Sequence, residues 1–102
     1  MSQTDDALKN NRVGPVMRSG EVANAVVEAV EMDNPGKEPM IEDKNAYIRI
    51  STDSELVVTR ASIEECLGRP FRMQELEINL SSFAGQIESG SDHFRFYFNR
   101  TV

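Results

Sequence analysis

Apolar and polar positions along the chain follow two different periods, and the changes of period mark its elements. Residues 13–17, VGPVM, form a short apolar run that reads as a strand. Pro15, which has no N–H to give a sheet ladder, predicts an edge position or a bulge there. After Ser19 and Gly20, the residues Val22, Ala25, Val26, Ala29 and Val30 recur at helical spacing, with Glu21, Glu28 and Glu31 off that stripe, so one amphipathic helix is expected. DNPG at 33–36 ends it with turn chemistry. The alternating runs AYIRIS and ELVVTR, within 46–60, predict two strands joined as a hairpin by a tight turn near Asp53 and Ser54. SIEECLGRP then predicts a short helix, with Ser62 and Glu65 as a capping box and Gly68 terminating it ahead of Pro70. A second helical piece follows around MQELE. Two last strands, SSFAGQI and HFRFYF, are separated by the polar turn ESGSD. In the final strand Phe94, Phe96 and Phe98 alternate with His93, Arg95 and Tyr97, the mark of one buried and one wetter face. The expected fold class is α+β: β-α-β-β followed by α-α-β-β, two small, mostly antiparallel sheets with short helices in a single domain.

Length and composition narrow the partners. A chain of 102 residues supports one core. Residues 1–10 are polar and aperiodic, so they read as a flexible tail ahead of a domain spanning 11–102. Acidic residues outnumber basic ones 17 to 11, and the resulting net charge of −6 opposes nucleic acid and anionic membrane surfaces alike. No apolar run approaches the roughly 20 residues of a membrane span, and MSQTDDALKNN lacks the basic-then-apolar order of a signal peptide. The expectation is a cytoplasmic protein, with which a lone cysteine, Cys66, agrees.

Candidate chemistry is sparse. Metal centres need several His, Cys or carboxylate ligands aimed at one point, and this chain has one His and one Cys, in different elements. Glu64 with Glu65, and Glu75 with Glu77, are too closely spaced on a helix to converge. His93 has no serine or cysteine nucleophile in a recognisable motif beside it, and reads as an exposed residue at a turn. Cys66 reads as a small buried hydrophobe. GRPFRM and NPGKE lack the glycine spacing of phosphate loops. The phenylalanine stripe reads as core rather than a base-stacking platform. From the residues alone the chain is an α+β domain without an active site, which acts through its surface. The small residues Ser81, Ser82, Ala84 and Gly85 around Phe83 either let another chain approach closely or relieve crowding inside this one; both readings stand.

DNPGKE, then ECLGRPFRMQELEINLSSFAGQI, then FRFYF, resemble the effector, or coupling, proteins of soluble diiron monooxygenases, in particular those of the toluene 4-monooxygenase branch. The coupling proteins of phenol hydroxylase and methane monooxygenase belong to the same family, and the likeness runs from residue 10 to the C-terminus. It implies a cofactor-free, non-catalytic subunit, monomeric when free, that binds a diiron hydroxylase and couples oxygen activation to aromatic hydroxylation. The iron would belong to the hydroxylase, and electrons would come from a separate ferredoxin and reductase. The resemblance also implies that Asn79, Leu80, Ser81, Ser82 and Phe83 face the hydroxylase, with Ala84 and Gly85 continuing that segment. Asn34, Pro35, Gly36 and Lys37 of the turn, and Arg69 and Phe71 of LGRPF, are further docking candidates. The alternative from another class is a stand-alone regulatory domain that binds a small molecule between its elements; a large apolar pocket with convergent polar groups would mark it.

Overall fold

The computed structural model describes residues 11–98; the expected tail, residues 1–10, lies outside the described residues. The periodic stretches resolve into β1 (Arg12–Arg18), α1 (Glu21–Asp33), β2 (Met40–Asp43), β3 (Tyr47–Asp53), β4 (Glu55–Thr59), α2 (Arg60–Leu67), α3 (Met73–Asn79), β5 (Leu80–Ala84), β6 (Gln86–Ser89) and β7 (His93–Tyr97). They form an α+β domain with two antiparallel sheets, ordered β2-β3-β1-β5 and β4-β7-β6.

The helices follow their sequence signals closely. α1 buries Ala25, Val26, Ala29 and Val30 of the predicted stripe and adds Ala23, while Val22, the first residue of that stripe, is only half-buried. α2 ends at Gly68, whose φ of 76° is the left-handed conformation that glycine adopts without penalty, and whose N–H closes on Glu64 O. Its start differs from the expected capping box. Thr59 is the cap, accepting the Ser62 N–H at 3.2 Å, while the Ser62 hydroxyl turns away to donate to Asp33.

The strands depart further from expectation. β3 and β4 are not a hairpin: β3 pairs with β1 and β2, whereas β4 pairs with β7 in the other sheet. A single residue, Ser54, separates them, with φ 72°, and the chain turns a corner between sheets there. The stretch SSFAGQI likewise divides at Gly85, φ 93°, into β5 of the first sheet and β6 of the second. A β-carbon on Gly85 would lie 2.6 Å from Val13 Cγ1 and 2.7 Å from Tyr97 O, so glycine is needed for the crossing. β1 is central, not an edge. Its ladder with β3 runs Arg12↔Asp53 and Val13↔Thr52, then resumes at Val16↔Arg49, leaving the Gly14 and Pro15 step unpaired on that side. Against β5 the irregularity falls between Val16 and Met17. Strand β2 carries no clear alternation and went unpredicted.

Between the sheets and helices lies one core that includes Val13, Met17, Ile50, Leu56, Val58 and Leu76, with Phe94 and Phe96 from β7. Each such side chain contributes about 1.5–3 kcal/mol by leaving water. Phe98, expected to complete the aromatic stripe, lies beyond the end of β7 and is 43% exposed. No helix among the described residues is long and apolar enough to cross a membrane.

Candidate functional site

β5 and β6 are consecutive edge strands, one on each sheet, so the chain from Leu80 to Ser89 forms an outer rim shared by both. Ser81, Ser82, Phe83, Gly85 and Gln86 are exposed; Asn79, Leu80, Ala84 and Ile87 are partly covered. Register places Ser82 opposite Val16 and Ala84 opposite Gly14, so small residues lie side by side on one face. Phe83, opposite Pro15, leans its ring to 5.9 Å from Phe96 yet stays 41% exposed. The two readings of the small residues therefore divide by position. Gly85 serves internal packing, whereas Ser81 and Ser82 stand free at the surface. Sequence reasoning passed over Ile78, the last-turn residue of α3 that is 70% exposed beside them. A usable signal was present: residues 78–87, INLSSFAGQI, form the longest uncharged run in a chain that is 27% charged. None of these ten residues is buried.

The DNPGK segment has a different role. Asp33 Oδ2 accepts from Thr59 N at 2.8 Å and from Thr59 Oγ1 at 3.1 Å, while its Oδ1 accepts from Ser62 Oγ at 2.6 Å. Asn34 Oδ1 accepts from Val57 N at 2.9 Å, and its Nδ2 donates to Val57 O and Val30 O, both at 2.7 Å. Lys37 Nζ donates to Glu55 O at 2.8 Å and Asp53 O at 2.6 Å. Positions 59, 57 and 55 alternate along the edge of β4, so three side chains occupy the backbone groups that a neighbouring strand would take. Asn34, 7% exposed, is thus committed internally and is corrected as a partner contact; the Lys37 ammonium is engaged at the same edge with its side chain only partly covered, and Pro35 and Gly36 remain exposed. Phe71 is corrected likewise: it is 3% exposed in the core, its N–H held by Glu64 Oε2 at 2.9 Å. Arg69 is exposed, reaching Glu21 at 3.6 Å and Glu75 at 3.5 Å.

Reactive residue types are also engaged. His93 Nδ1 lies 3.0 Å from Asp92 Oδ1 and its Nε2 lies 3.1 Å from Glu88 Oε2. Both partners are carboxylate oxygens that accept, an arrangement that favours the protonated ring, in which both nitrogens donate. The bond to Asp92, then that to Glu88, raise the imidazole pKa; in return His93 holds both carboxyls below their usual range. Burial, reinforced by the charge of Glu28, pushes the Cys66 thiol up, away from the reactive thiolate. Among the described residues no group of three or more His, Cys, Asp or Glu could hold a metal ion. An open groove of about 600 Å³ crosses the outer face of the first sheet, where Arg12, Glu42 and Arg49 mingle with Val16 and Met40. Arg12 already donates to Ser51 Oγ at 3.1 Å and Ser51 O at 2.8 Å. Its lining mixes charged and polar side chains with apolar ones, unlike the large apolar pocket with convergent polar groups that would mark the small-molecule alternative.

A small α+β domain whose engaged polar groups leave an uncharged, exposed strand rim is a binding and regulatory module. The chain belongs to the MmoB/DmpM family, whose model matches residues 11–97. It is 45% identical to the alkene monooxygenase effector subunit of Xanthobacter autotrophicus, over 93% of this chain and 94% of that one. It is 33% identical to the phenol 2-monooxygenase stimulatory component DmpM of a Pseudomonas species, over 71% of this chain and 78% of that one. A chain of the solved phenol hydroxylase–regulatory protein complex shares the fold with a TM-score of 0.74 at 35% identity, covering 86% of this chain and 99% of its own length. The soluble methane monooxygenase regulatory protein B shares the fold at TM-score 0.63 and 22% identity, covering 86% of this chain and 65% of that one.

Proposed function

We propose that this chain is the non-catalytic effector of a multicomponent diiron monooxygenase: it binds the hydroxylase reversibly and favours the conformer in which oxygen activation is coupled to substrate hydroxylation. The relatives' names, effector, stimulatory and regulatory, support that role. The observation that carries it here is the stretch 78–87, hereafter the rim, uncharged and unburied, which runs from the last turn of α3 into the rim strands of both sheets. Interface centres are depleted of charge, and small side chains let two backbones approach. Stable docking buries roughly 800 Å² on each partner, an area that requires more than the rim alone and draws in the adjoining groove and helix end. The effector shifts the hydroxylase only by binding one conformer more tightly than the other. In this reading the iron belongs to the hydroxylase, a ferredoxin and a reductase deliver electrons, and the substrate is a small hydrocarbon, aromatic if the toluene-type likeness at LGRPF and SFAGQI extends to chemistry. The free effector is a cytoplasmic monomer.

The test is reconstitution. With hydroxylase, reductase and ferredoxin purified, product formed per reducing equivalent consumed is expected to rise on adding this protein and to saturate. Turnover and coupling that stay flat across the titration would refute the reading.

A further inference from the structure

We propose that Lys37 is a positioning residue that sets the presentation of the 78–87 rim from a distance, without touching the hydroxylase; the proposal rests on the docking role just given. Its ammonium binds the carbonyls of Asp53 and Glu55, the two residues flanking Ser54, and so grips the corner where the chain leaves one sheet for the other. Ser54 holds a left-handed φ of 72°, a conformation that costs a non-glycine residue free energy and persists only when neighbours enforce it. Thr52 Oγ1, fully buried, donates to the same Glu55 carbonyl at 2.6 Å. The corner continues to the rim. Ser54 O accepts the Phe98 N–H at 2.8 Å, and Phe98 follows Tyr97, whose carbonyl would lie 2.7 Å from a β-carbon on Gly85. Gly85 is the second corner, where the rim itself changes sheets. The two crossings therefore pack against one another through the end of β7, and Lys37 bridges one of them. A charged hydrogen bond to two carbonyls is stronger than a neutral one, which suits a group that must fix an angle.

Two measurements on the full chain test this, using Lys37→Met, which keeps most of the unbranched apolar stem and removes the donor. Amide chemical shifts in the free protein are expected to move at Ser54 and Leu56, which share peptide groups with the released carbonyls, and also at Phe98 and Gly85. Titrated into the hydroxylase system, the variant is expected to need about tenfold more protein for half-maximal stimulation, with the plateau kept. Lys37→Arg, which restores the charged donor, should recover most of the affinity. If the Met variant fails to fold, Lys37→Gln, with one neutral donor, is measured in the same way. Shifts confined to Ser54 and Leu56 overturn the proposal, as does weakened stimulation with Gly85 unmoved, which would make Lys37 a direct contact. The shift experiment needs no hydroxylase, so a wild-type protein that fails to stimulate refutes the docking role while the coupling of the two corners is still decided.

Discussion

His93 is the residue whose sequence context says least and whose surroundings say most. Alone on a strand it could be a base, a ligand or merely exposed; between Asp92 and Glu88 its two ring nitrogens face two carboxylate acceptors, which favour the imidazolium. Arg95 extends the cluster, donating to Glu88 and Glu55 while lying 4.3 Å over the Tyr97 ring. Because the folded pKa of His93 is raised above its unfolded value of about 6.5, its stabilisation is complete below that value and fades as pH rises through the folded pKa. Glu88 and Asp92 are lowered, so their contribution is present above the unfolded carboxyl range of about 4 and is lost as pH falls through their folded values. The cluster is strongest between those limits, roughly pH 5 to 6.5. His93→Gln should therefore destabilise the domain most near pH 5.5 and least near pH 8.5, which paired thermal melts read directly. A deficit that does not vary with pH would mean that the ring contributes as a neutral packing group.

At the scale of elements, what was legible depended on whether the signal was local. Helix α1 shows a buried stripe and α2 a left-handed glycine, both readable within a few residues, and both stand where periodicity put them. Strand partners were not legible. Alternation in β3 and β4 says that Ile48, Ile50, Leu56 and Val58 point inward, but nothing in it says that the sheets differ. The runs AYIRIS and ELVVTR leave three residues between them, an ordinary hairpin length, whereas the strands themselves extend until only Ser54 separates them, shorter than the two residues of the tightest common hairpin loop. Proline in β1 predicted an edge position or a bulge: the strand is central, but the irregularity is present, as a gap at Gly14 and Pro15 in the β3 ladder and a register shift between Val16 and Met17 against β5. The DNPGK turn was recognisable as a turn, whereas its closure of the β4 edge depends on contacts made across about twenty positions of sequence. Asn34→Ala removes a buried amide that satisfies both backbone groups of Val57, and is expected to cost about 2 kcal/mol. Urea unfolding measures it; a loss under about 0.5 kcal/mol would show that water replaces the amide at this edge.

For the molecule as a whole, the arrangement of edges and charge separates surface that is closed from surface that is available. The negative charge concentrates on the helices, which carry eight acidic residues against one basic; the β4 edge is covered by Asp33, Asn34 and Lys37, and β2 carries Glu42 paired with Arg49 and Lys44. The β5 edge has neither charge nor proline, the usual devices against unwanted pairing. The small residues that reveal this segment were visible in the sequence; Ile78 was not, because a lone isoleucine on a helix reads as core until its exposure is seen. Ser82 is the position where docking and folding can be told apart. It is exposed and pairs with Val16 on an outer face, so a tyrosine there projects into water and suits a strand, leaving the free domain within about 0.5 kcal/mol of its original stability. At the centre of a docked surface the same ring holds the two backbones apart, and half-maximal stimulation of the hydroxylase should require about tenfold more of the Ser82→Tyr protein, equivalent to about 1.4 kcal/mol. Glu31→Tyr, on the exposed side of α1, adds the same ring away from the rim and should stimulate normally. A folded Ser82→Tyr protein that stimulates as well as the original would remove the rim from the interface and leave the exposed Pro35 and Gly36 turn as the next surface to probe.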